Sequence, residues 1–158
     1  MGPVFPIVTL GLALFLSAIP LPMGHQHWMP AWLCLVAFWL VLHQPRYMTV
    51  LIAWSVGLVC DLILGAPLSS SAFGLAVAVY LAGLFRLRLR HLAIAQQLVA
   101  CGVFVFVALQ IALLIRVMVG LQAHPMPILI TVLASVACWP VLALGLSSIA
   151  RRINGEAP

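Results

Sequence analysis

Acidic side chains are nearly absent from this sequence: in 158 residues only Asp61 and Glu156 carry a carboxylate, against seven arginines and no lysine. Charged residues make up 6% of the chain, where a water-soluble domain carries roughly 25%. A soluble fold is therefore excluded. Paired carboxylates for acid–base catalysis and carboxylate-rich metal cages lack raw material as well. Cysteine is also scarce: Cys34, Cys60, Cys101 and Cys138 stand singly in apolar runs, with no C-x-x-C and no histidine at ligand spacing. Thiols so placed behave as small hydrophobes, and neither a metal nor a cofactor is expected. The five histidines are scattered too. The formal charge of +5 would suggest nucleic acid in a soluble protein. Here every arginine lies between, beside or, for Arg116, near the end of an apolar run, so no nucleic-acid partner is implied.

What is plentiful is apolar: 66% of the residues, with a mean hydropathy of +1.27. In lipid every backbone polar group must be satisfied within the protein, which leaves helices as the spanning structure of an open chain. Runs bounded by Pro, Gly, Arg or His predict six spans: 4–19, 29–42, 48–64, 72–85, 94–119 and 127–149. The expected fold is all-α, one polytopic helical membrane domain over residues 1–158. No Lys or Arg precedes the first run, unlike a cleavable signal peptide, and it reads as a retained helix. The second and fourth spans are short, at about 21 Å of helix against a hydrocarbon core of about 30 Å. Flanking aromatics or arginines are expected to complete them.

Arginine is retained on the cytoplasmic side of membranes. Arg46 follows the second span, Arg86, Arg88 and Arg90 the fourth, and Arg151 and Arg152 the sixth, while the intervening loops contain no Lys or Arg. That alternation predicts both termini in the cytoplasm of a multi-pass inner-membrane protein. The stems of these arginines can lie along the lipid boundary with their guanidinium groups on headgroup phosphates.

Asp61 falls inside the third span, where a carboxylate costs about 3 kcal/mol or more unless paired or hydrated. Two arrangements satisfy it. In one it pairs with Arg116, placed at comparable depth near the outer end of the fifth span. In the other Arg116 reaches the interface alone and Asp61 caps the turn beginning at Gly65. Ser69, Ser70 and Ser71 read as the cap of the fourth helix. Gly74, Ala78 and Ala82 recur every four residues on one face, a pattern of close helix contact within the chain or with a partner. Pro140 removes a backbone donor from the sixth span and predicts a kink.

The run Gly57-Leu-Val-Cys-Asp61-Leu-Ile-Leu-Gly65-Ala-Pro-Leu68 resembles the G-x-x-x-D-x-x-x-G-x-x-L signature of the MreD family, integral membrane proteins that determine rod shape in bacteria. His43-Gln-Pro-Arg46, Pro30-Ala-Trp32, Tyr80-Leu81, Arg90-His-Leu-Ala-Ile-Ala-Gln-Gln97 and Trp139-Pro140 resemble further stretches of that family in the same order. The likeness implies a non-catalytic six-helix protein that works with MreC, MreB and the synthase formed by RodA and its penicillin-binding partner. Gly57, Asp61, Gly65 and Leu68 would then be its structural motif. One departure is visible: the fifth helix offers Gln110 and Arg116 where family members place acidic residues, so no charge relay through it is expected. The family is similar in fold to substrate-binding subunits of energy-coupling-factor transporters, which supplies an alternative function as a small-molecule transporter subunit. Such a pocket should gather several polar groups within the membrane. Asp61, Gln110, Arg116, Thr49, Thr131 and Ser135 are few and dispersed, which favours a scaffold.

Overall fold

The computed structural model describes residues 4–18, 30–65, 69–121 and 126–153. Among these residues six α-helices follow one another with no strand: α1 (Val4–Ala18), α2 (Trp32–His43), α3 (Val50–Leu64), α4 (Ser70–Arg90), α5 (Ile94–Met118) and α6 (Met126–Ile153). Helices α4, α5 and α6 are long and apolar enough to cross a membrane, while α1, α2 and α3 are shorter apolar helices. Leu68 of the motif lies outside the described residues, as do the side chains of Arg151 and Arg152.

Helix α2 is the hub. From Leu33 to Leu42 every side chain is buried except the half-buried Cys34, as expected of a helix apolar on all sides. Phe38 meets Phe104 of α5 at 5.1 Å and the edge of Trp139 of α6 at 4.9 Å, and Trp39 meets Phe5 of α1 at 5.8 Å. At 12 residues α2 is only about 18 Å long. Neighbouring helices surround it, so its length need not match the bilayer.

Helix α4 corrects the sequence-based boundaries. It runs 21 residues, through Arg86, Arg88 and Arg90, where a short span ending at Phe85 was expected. Arginine is a good helix former and its long stem carries the charge outward, so the alternating Arg and Leu continue the helix. Its buried positions are mostly small (Ala72, Gly74, Ala76, Ala78 and Ala82, with Leu75 and Val79 among them), and most of its exposed ones are large (Phe73, Tyr80, Leu84, Phe85). Between apolar lipid and apolar protein, close approach of backbones is the gain, and small residues permit it.

Helix α6 continues through Pro140 as one helix. It is tied to α2 by a hydrogen bond: the Ala31 amide donates to Ser135 Oγ at 2.9 Å, and that hydroxyl donates to Thr131 O at 2.7 Å. Ser135 is fully buried. Ser135→Ala leaves the Ala31 amide without this acceptor and should lower stability by about 1–2 kcal/mol, measured by unfolding in mixed micelles.

Candidate functional site

The motif Gly57, Asp61 and Gly65 sits where α3 turns over into α4, and each residue has a distinct task. Gly65 ends α3 in the left-handed conformation (φ +60°), and its amide closes on the carbonyls of Asp61 and Leu62. A glycine adopts that backbone without a Cβ penalty. Gly57, two turns earlier, faces α4: a Cβ there would stand 2.5 Å from the Cα of Ala72. Backbone therefore lies against backbone at this crossing.

Asp61 lies between them and is completely buried. Both carboxylate oxygens accept from the Ser71 amide, at 3.1 Å and 3.0 Å. The Ala72 amide donates at 3.4 Å and the Ser70 hydroxyl at 3.3 Å. These donors belong to the first turn of α4, whose amides have no partner within the helix and whose dipole presents positive charge. The carboxylate of one helix thus caps the next. Ala72 is held twice, by its amide to Asp61 and by its Cα against Gly57.

That geometry alters two expectations. Arg116 does not pair with Asp61: no ion pair joins them, and Arg116 is exposed in the last turn of α5, where a cation complements the helix C-terminus. Equal depth left the direction around the helix axis open, and Asp61 points to α4. Ser69 does not cap α4 with its own side chain. It occupies the N-cap position at φ +82°, whereas a capping side chain requires an extended backbone. Asp61 supplies the acceptor instead, and Ser70 acts as a donor to it. Sequence reasoning noticed the aspartate and the serines separately; what links them is the register of the hairpin.

The small-residue row on α4 lies inside the chain. Gly74 packs against the backbone of Ala108 on α5, with no room for a Cβ. Ala78 and Ala82 are buried, beside Phe38 and Phe104. Arg46 is exposed in the turn between α2 and α3; at the end of α4, Arg86 is half-buried and Arg88 and Arg90 are exposed. Arg90 acts electrostatically on His43, the last residue of α2, so the C-terminal ends of α2 and α4 share one side of the molecule.

A cavity of about 240 Å³ lies among the helices at the Asp61 end, with Ser17, Cys34, Cys60, Ser71 and Thr131 in its wall. The Ser17 hydroxyl donates to the Ala13 carbonyl at 2.8 Å. The Ser71 amide is held by Asp61. Among the described residues no group of three His, Cys, Asp or Glu side chains could hold a metal ion.

The family model of the rod shape-determining protein MreD matches residues 2–148. The chain belongs to the MreD family. A rod shape-determining protein MreD of Haemophilus influenzae is similar to it, 30% identical over 143 residues that cover 90% of this chain and 88% of that protein. No solved structure matches. Membership of the MreD family assigns a role in rod-shape determination, and the long apolar helices suit a membrane protein.

Proposed function

We propose that this chain is a non-catalytic, multi-pass component of the bacterial inner membrane, with both termini in the cytoplasm and residues 1–158 forming one domain. It receives the transmembrane segment of MreC and so helps place MreB and the RodA/penicillin-binding-protein synthase for cell elongation. The observation that carries this reading is the commitment of the motif to structure. Asp61, the only carboxylate among the described residues, is occupied by four contacts to α4. Its chemistry is to hold two helices in register.

A membrane helix needs a groove whose walls do not shift. One of about 530 Å³ runs on the outside of the α3–α4 pair, between Leu51 and Trp54 on one wall and Phe73, Val77 and Tyr80 on the other. The Asp61 cap and the Gly57 crossing fix the spacing of these walls. MreC is therefore assigned to this outer groove, since Gly74, Ala78 and Ala82 are already covered by α2 and α5.

Single cysteines at Leu51, Trp54, Val77 and Tyr80 in a cysteine-free background should form disulfides with cysteines along the MreC helix, recurring every three or four residues. Absence of crosslinks there, with crosslinks from α6 instead, would move the contact. Crosslinks nowhere, together with saturable binding of a small solute by the purified chain, would replace the scaffold reading with that of a transporter subunit.

A further inference from the structure

A second apolar groove lies between α4 and α5, on the far side of α4 from the one assigned to MreC. About 290 Å³ in volume, it is walled by Ala78, Phe85 and Leu89 of α4, Val103 and Phe104 of α5, and floored by Phe38 of α2. Along α4, from Ala78 to Leu89, it extends for roughly 16 Å at 1.5 Å per residue. That is about half of a 30 Å hydrocarbon core, the depth of one leaflet.

The residues of α4 beside its inner half include three arginines, Arg86, Arg88 and Arg90. At 100° per residue the row Ala78, Ala82, Phe85 and Leu89 forms one stripe of α4, with Arg86 to one side and Arg88 to the other. Arg88 and Arg90 are exposed, and no carboxylate lies near them among the described residues. Arg86 is half-buried, and its Nε donor is shielded and has no hydrogen-bond partner. A buried donor left unmade costs free energy, and arginine matches phosphate oxygens in geometry as well as in charge.

We propose that this groove is a binding site for an anionic phospholipid from the leaflet that carries the end of α4. One acyl chain lies between Phe85 and Leu89 on α4 and Val103 and Phe104 on α5, and the phosphate is held by Arg86, with Arg88 on the other flank of the stripe adding positive charge. An apolar slot one leaflet deep, flanked on α4 by two arginines, has the polarity profile of such a lipid. The lipid bridges α4 and α5 on the outer face of that hairpin.

The site is testable on the purified full-length chain in detergent, by native mass spectrometry with palmitoyl-oleoyl phosphatidylglycerol and the matching phosphatidylcholine. Phosphatidylglycerol should bind about tenfold more tightly or better. Arg86→Gln with Arg88→Gln should abolish that preference, whereas Arg46→Gln should retain it. Val103→Trp, at an exposed position in the groove wall, should weaken phosphatidylglycerol by about tenfold while leaving the lipid-free melting temperature and both arginines unchanged. Equal binding of the two lipids would overturn the proposal, as would loss of preference in Arg46→Gln as large as in the double variant. So would undiminished binding to Val103→Trp, or equal competition by water-soluble glycerophosphoglycerol, since either result reduces the site to a charged surface without a groove. MreC crosslinking at α3–α4 is read separately and can fail without affecting this result.

Discussion

Asp61→Leu should be the most damaging single substitution in the α3–α4 pair. It removes the acceptor of the Ser71 and Ala72 amides and of the Ser70 hydroxyl, and it places an apolar side chain against the positive end of α4. Each buried donor left without a partner costs about 1–3 kcal/mol, so a total loss of roughly 3–5 kcal/mol is expected, somewhat below the sum because the first turn of α4 can fray. Asp61→Asn keeps one oxygen acceptor and should lose about half as much. Reversible unfolding in mixed dodecyl maltoside and dodecyl sulfate micelles gives both values. Two variants of equal stability would show that the carboxylate does not hold α4. Asp61→Leu should also reduce MreC crosslinking at Val77 and Tyr80 more than at Leu51, because the α4 wall is the one released.

Gly57→Leu should have an effect of similar size by a different route. Its Cβ meets the Ala72 backbone, and backbone cannot yield as a side-chain tip can. Overfilling a packed site costs about 1–3 kcal/mol, and here the same displacement pulls the Ala72 amide away from Asp61, coupling the two losses. Gly74→Leu should do likewise at the α4–α5 crossing through Ala108. At Gly83, where a Cβ meets nothing within 4 Å, Gly83→Ala should be neutral or slightly stabilising, because glycine in a helix interior costs about 1 kcal/mol relative to alanine. A double-variant cycle of Gly57→Leu with Asp61→Leu is the sharper measurement: strongly sub-additive losses are expected because both act on Ala72. Full additivity would refute a shared contact.

Much of this arrangement was legible in the sequence. Six apolar runs gave six helices within a few residues; Asp61 stood out by the cost of a carboxylate in lipid, and Gly57 and Gly65 by the resemblance to the MreD signature. The end of α4 was less legible, because arginines lower hydropathy without interrupting a helix. Burial could not be read from hydropathy, since Leu35 in the core and Leu133 on the outside are the same residue in two apolar surroundings. Side-chain size along α4 was the better signal, mostly small inward and large outward, with Leu75 and Val79 as exceptions. The partner of Asp61 required knowing which way the third helix faces, and only the folded hairpin supplies that.

The central position of α2 has a consequence for how the protein is made. Its companions α4, α5 and α6 all follow it in the chain, and about 75 residues separate its end from that of α5. At roughly 5–20 residues per second, this twelve-residue segment leaves the ribosome some 4–15 s before the last turns of α5, and longer still before α6. During that interval it is too short to hold a stable transmembrane position unaided, so α1 and the insertion machinery must shelter it. Nascent-chain crosslinking should find α2 beside the insertase until α5 has emerged, and a stop codon placed between α4 and α5 should yield a product that is rapidly degraded.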